Sequence, residues 1–177
     1  AVVVADFGNG FVTSTMIDLL CDKSKLLAVN TQVNSGNRGF HVINRYPRAD
    51  FVSLNEPELR LAAHNRHDPL EIICEETAGR LGAKSFAVTR GTKGVMWFDQ
   101  KSHEFNRVPA LSSRVVDRIG AGDAFLSLSS LCVASGAPPE VANFIGSVAA
   151  AIDVQIVCNR EPIDAINLKK YISTLLK

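Results

Sequence analysis

Short apolar runs alternating with stretches of helical spacing constrain this chain more than any other feature. Strand-like runs separated by helices argue for an α/β fold with a mainly parallel sheet. Residues 1–6, Leu26 to Val29, Phe51 to Leu54 and Phe86 to Thr89 read as strands. Residues 12–22 read as a helix with Met16, Leu19 and Leu20 on one face, and Phe40 to Arg45 as a short helix. Asn55 caps the next helix, with Pro57 in its first turn and Glu58 at the third helical position. Asp68-Pro69 opens another, which Gly82 ends just after Leu81. Gly91 and Gly94 mark a turn into Val95 to Phe98, and Asp99 to Ser102 a second turn into His103 to Val108. That meander is expected to be antiparallel and to lie at a sheet edge. The last third is helical, over Ala121 to Ser135, Pro139 to Ile152 and Asp164 to Leu176.

With 177 residues, 46% hydrophobic and 21% charged, the chain suffices for one core, so residues 1–177 read as a single domain. A net charge of +1 gives no electrostatic case for nucleic acid or an anionic membrane surface. No apolar run approaches the ~20 residues of a membrane span. Cys21, Cys74, Cys132 and Cys158 form no C-x-x-C pair and read as small core residues in a reducing, cytoplasmic compartment. His41, His64, His67 and His103 show no metal-ligand spacing and read as surface residues without a zinc site. The pattern of a buried strand begins at Ala1, so the chain reads as a piece of something longer. An open sheet edge left by such a cut predicts self-association.

The stretch Asp117-Arg118-Ile119-Gly120-Ala121-Gly122-Asp123 carries the chemistry. Glycines bring backbone N–H groups close to an anion, and a helix starting there aims its positive dipole end at the same place. Gly120, Ala121 and Gly122 are therefore candidate anion-binding positions, and Asp123 a candidate base; an ordinary glycine turn with a first-turn aspartate looks alike. Asn55 and Glu58 fit a capping box as well as a ligand site. Thr89 and Gly91 follow a strand and suit a phosphate or ribose, or simply a hairpin entry. Asp6, Gly8 and Gly10 lie at one strand's carboxyl end, and Asn30, Gln32 and Asn34 at the next, where α/β folds bind ligands.

Taken in order, these elements resemble the PfkB (ribokinase-like) family of carbohydrate kinases. Asp117 to Asp123 is similar to that family's D-T-x-G-A-G-D signature, and Asn55-Glu56-Pro57-Glu58 to its N-x-x-E element. Thr89-Arg90-Gly91 with Gly94 resembles its T-x-G segment, and Asp6-Phe7-Gly8-Asn9-Gly10 the D-Y-G-K-G strand end of the heptose-phosphate kinase branch. Val148 to Val157 resembles its late alanine-rich helix against adenine. The resemblance implies a three-layer ribokinase-like sheet, truncated at the N-terminus and without the sugar-binding Gly-Gly segment and β lid. It implies ATP-dependent phosphoryl transfer to a hydroxyl of a sugar or sugar phosphate, with Asp123 as base. Asn55 and Glu58 would organise Mg2+ through water; Thr89, Gly91, Gly94, Asp117, Arg118 and Asn143 would bind the nucleotide. Asp6, Gly8, Gly10, Asn30 and Gln32 would serve the acceptor. Arg118 and Ile119 replace common threonines, and Cys158 a usual glycine. Those departures motivate an alternative, an inactive nucleotide-binding or interaction module.

Overall fold

The computed structural model describes residues 1–112 and 114–177. Its elements run β1 (Val2–Asp6), α1 (Ser14–Lys23), β2 (Leu27–Thr31), β3 (Phe51–Asn55), α2 (Glu56–Ala62) and α3 (Leu70–Leu81). They continue with β4 (Ser85–Thr89), β5 (Val95–Asp99), β6 (Glu104–Val108), α4 (Ala121–Ala134), α5 (Pro139–Asp153) and α6 (Ala165–Leu175). One six-stranded sheet has the order β1-β2-β3-β4-β5-β6. Strands β1 to β4 pair in parallel, and β5 and β6 add an antiparallel edge.

Strand order equal to chain order has a physical consequence. Crossovers of one hand that always step the same way put their helices on the same face. Accordingly Ile17 of α1, Leu59 of α2 and Ile73 of α3 share one core with Val29, Leu54 and Phe86. The opposite face is left for the C-terminal helices, where Phe125 and Leu126 of α4 and Ala142 of α5 meet Ala28, Phe51 and Trp97. The central strands are therefore apolar on both sides, as parallel strands covered twice must be. Trp97 and Phe51 stack with centroids 4.8 Å apart, and Phe125 lies 6.4 Å from Trp97.

Four expectations are corrected. The buried stripe of α1 is Ile17, with Leu20 and Cys21 partly covered, whereas Met16 and Leu19 are exposed. The helix flanks an edge strand, so only a narrow stripe meets the sheet. Between β2 and β3 only Ile43–Arg45 is helical, as a single 3-10 turn, and Phe40 is exposed. His41 is buried, not superficial. Of the cysteines only Cys74 is fully buried, and Cys158 is exposed. Among the described residues strand β1 lies at the sheet's rim, with Val3 exposed. No helix among the described residues is long and apolar enough to cross a membrane.

Candidate active site

The carboxyl ends of β2, β3 and β4 point to one side, and there the chain encloses a cavity of about 620 Å3. Register sets its floor: Asn55 pairs with Thr89 across β3 and β4, and Thr89 with Val95 across β4 and β5. Gln32, Asn55, Glu58, Thr89, Gly120 and Asp123 all line it. Residues far apart in sequence are thus brought to one place by parallel strands ending at a common level.

Asn55 is the N-cap of α2. Its side chain accepts from the Glu58 backbone N–H at 2.8 Å, and Glu58 Oε2 accepts from the Asn55 N–H at 2.9 Å. The capping box is therefore real. It does not exhaust Glu58, whose Oε1 accepts only a long bond from the Val33 N–H at 3.4 Å. Glu58 is buried, and burial first, then repulsion from Asp123, pushes its carboxyl above the usual range.

The opposite wall is the start of α4. Its N-cap Gly120 has φ +96°, which a side chain would strain. The first N–H groups of the helix, at Ala121, Gly122 and Asp123, are unclaimed by preceding turns, as at any helix start. Gly122 has open space where a Cβ would go, so the approach to those groups is unobstructed. Asp123, half-buried in the first turn, is held above the usual carboxylate range by burial, an effect opposed by a hydrogen bond from Gln32 Nε2 at 3.3 Å. Two residues on, fully buried Phe125 anchors the turn beside Trp97. Helix α5 approaches closely there because Gly146 has no side chain; a Cβ would lie 2.8 Å from the Phe125 ring.

The remaining residues divide clearly. Gly91 and Gly94 form the β4–β5 turn on the cavity's rim, and a Cβ on Gly94 would sit 2.0 Å from the Val108 carbonyl oxygen. Arg90 in that turn pairs with Glu56 at 3.1 Å, and Glu56 also takes Arg60 at 3.0 Å, tying the turn to α2. Asp117 props the loop from outside: its carboxylate accepts from the Ile119 and Cys158 N–H groups, each at 3.0 Å, which lowers its pKa. Exposed Arg118 is the cationic side chain on the cavity wall. Asn30 is buried and lines the cavity; its Nδ2 donates to the Ser53 carbonyl at 2.7 Å, while Oδ1 has no partner among the described residues.

Asp6, Gly8, Gly10 and Asn143 do not line the cavity. Asp6 is 2% exposed and committed to a buried cluster. Its Oδ2 takes Arg45 Nη1 at 2.9 Å and the Tyr46 hydroxyl at 3.0 Å, and its Oδ1 takes His41 Nε2 at 3.1 Å and the Gly8 N–H at 3.2 Å. Burial and Asp6 push the Tyr46 hydroxyl well above its ordinary pKa. A Cβ on Gly8 would overlap Asn37 and His41. Asn143 is fully buried and donates to Asn106 of β6. Sequence reasoning did not pick out the segment Pro109 to Ser112, which forms another wall, because it carries no motif.

A profile described as pfkB family carbohydrate kinase matches residues 16–164. The chain belongs to that family. Among curated relatives, the Bifunctional protein HldE of Koribacter versatilis is 29% identical over 161 residues, covering 89% of this chain and 32% of that protein. The chain thus spans about a third of that relative's length. Among solved structures, ribokinase from Thermotoga maritima superposes with a TM-score of 0.73 at 20% identity, over 97% of this chain and 56% of its own. That likeness establishes the shared fold. Arabidopsis thaliana ribokinase, solved with ribose and ATP, gives a TM-score of 0.59 at 26% identity over 70% of this chain and 41% of its own. The three-layer sheet described above is therefore the pfkB fold, and the match to the family takes in the Asn55, Thr89 and Asp117–Asp123 elements together.

Proposed function

We propose that this chain forms the nucleotide-binding and proton-accepting part of a kinase that transfers phosphate from ATP to a hydroxyl of a sugar or sugar phosphate. The observation that carries the proposal is the meeting of a half-buried carboxylate, Asp123, with the open N-terminus of α4 in one cavity that also holds Glu58. A carboxylate in its ionised form takes the hydroxyl proton as the acceptor oxygen bonds to the γ-phosphorus, and the bond from phosphorus to the ADP oxygen breaks. The Gly120–Gly122 N–H groups stabilise the charge on the transferred phosphoryl oxygens. Arg118 supplies positive charge at the cavity wall. Thr89, Gly91 and Gly94 shape the nucleotide side, Asp117 holds the loop that carries Arg118, and Asn30 and Gln32 stand at the acceptor end. Asn143 contributes at most indirectly, through α5.

The donor set suits Mg2+. Glu58 offers carboxylate oxygens with spare lone pairs in a pocket with little competing cationic charge, and Asn55 orients it; Mg2+ keeps several waters and needs few protein ligands. Bound there, the ion would neutralise phosphate charge. The four free thiols support a reducing, cytoplasmic setting. The outer edge of β1 has no strand beside it among the described residues, and Val3, Phe7 and Phe11 are exposed nearby, which supports self-association through that edge. Sedimentation at rising concentration tests this, and a monomer throughout would refute it.

The proposal is tested by Asp123→Asn in the functional protein. Turnover of MgATP with a sugar acceptor should fall by roughly 10²- to 10⁴-fold while nucleotide affinity is kept. Near-normal turnover would overturn the assignment. Tight nucleotide binding with no transfer to any sugar, even in the unaltered protein, would favour a binding module.

A further inference from the structure

Two amide side chains line the cavity near the carboxyl end of β2, Asn30 within the strand and Gln32 just past it. They are used differently. Asn30 is turned to the Ser53 carbonyl of the neighbouring strand. Gln32 reaches across the cavity to a residue 91 positions later, Asp123. Its backbone is fixed on both sides: the N–H donates to the Asp6 carbonyl at 2.9 Å, and the carbonyl accepts from Asn37 Nδ2 at 3.4 Å. Asn37 is secured in turn, with Oδ1 accepting from the Asn34 N–H at 2.8 Å and Nδ2 also reaching the Phe7 carbonyl. The amide donor therefore stands on a rigid base tied to the buried Asp6 cluster.

A carboxylate in a helix's first turn is otherwise free to rotate about its side-chain bonds. One fixed donor on Oδ1 removes that freedom and leaves Oδ2 as the oxygen for an incoming proton. We infer that Gln32 is a positioning residue for Asp123, orienting its carboxylate toward the acceptor hydroxyl rather than binding the acceptor itself. The inference rests on Asp123 being the base.

The surroundings sharpen the role. The charged groups set against Asp123 are Glu58 on α2 and Asp153 at the end of α5, with Arg118 of the loop before α4 on the same cavity wall. Two of the three are acidic and resist a further negative charge. Burial acts in the same sense, and the Gln32 amide is the neutral donor that favours the ionised form. The same bond therefore aims the base and favours its ionised form.

The test is a titration of the Asp123 side-chain carboxyl by carbon NMR in the full chain, assigned with Asp123→Asn, comparing the unaltered protein with Gln32→Leu and Gln32→Met. Both variants are expected to move the Asp123 titration to higher pH. In the catalytically competent protein the acid limb of kcat/KM should move with it, and kcat should fall roughly tenfold while acceptor KM changes little. Gln32→Met keeps the side chain's length with neither a donor nor a charge, so it decides the matter if Gln32→Leu does not fold. An unmoved Asp123 titration in a folded variant overturns the inference. So does a raised acceptor KM with an unmoved acid limb, which would make Gln32 an acceptor ligand. Failure of the base assignment shows differently: Asp123→Asn would retain turnover, whatever the Gln32 variants do to the titration.

Discussion

Replacing Asp6 with alanine separates two roles for this residue, an acceptor ligand or the hub of a buried cluster. The structure supports the hub. Its carboxylate receives Arg45, Tyr46, His41 and the Gly8 N–H, and it is 2% exposed. Removing one partner of a buried ion pair typically costs ~3–5 kcal/mol. The Arg45 side chain is 29% exposed and can turn partly to water, which reduces its share. The Tyr46 hydroxyl cannot, and an orphaned buried hydroxyl alone costs ~1–3 kcal/mol. An expected loss of about 3 kcal/mol follows, or a fall in Tm of roughly 6–12 °C for a chain of this size. Urea unfolding followed by the fluorescence of buried Trp97 measures the first quantity, provided the transition is two-state. Nucleotide affinity by calorimetry should stay within about twofold at temperatures where the variant is folded. A stability loss below about 0.5 kcal/mol would refute the reasoning, all the more with a raised acceptor KM.

Other outcomes follow from the same contacts. Gly94→Ala places a Cβ 2.0 Å from the Val108 carbonyl at φ +78°, so it should destabilise the fold by more than ~3 kcal/mol and weaken nucleotide binding; a loss under ~1 kcal/mol in urea would refute the close approach. Gly146→Ala pushes on the Phe125 ring from 2.8 Å, with an expected cost of about 1–3 kcal/mol and an altered near-UV signal from Trp97, and an unchanged signal would contradict the packing. Asp123→Asn should raise Tm at neutral pH. Burial lifts the folded-state pKa of Asp123, so its ionisation weakens the fold as pH rises through that value, and the burden is absent below the ordinary carboxylate pKa of about 3.9. The gain should therefore shrink toward low pH, and a gain independent of pH would count against a buried, ionised Asp123.

Much of the fold was legible because its signals are local. The four parallel strands, the antiparallel meander, the Asn55 capping box and the start of α4 depend on neighbouring residues and short periodicities. Helix faces were less legible. Met16 and Leu19 have the spacing of a buried stripe, yet α1 overhangs a rim strand and leaves them exposed. His41 and Asn143 look like surface residues in sequence but are buried by partners on other segments, Asp6 and Asn106. Asp6 and Gln32 show the difference most directly. Both stand at or just past strand ends, where ligands bind. Register and the intervening loop turn Asp6 inward to Arg45 and Tyr46, and Gln32 outward to Asp123.

By itself the sequence determined an α/β chain with a glycine loop opening a helix, because periodicity, capping and turn chemistry act within a few residues. Tertiary structure alone decided which polar side chains share the cavity. That choice depends on parallel strands ending level and on Gly146 letting α5 press Phe125 of α4 into the core, contacts that span most of the chain.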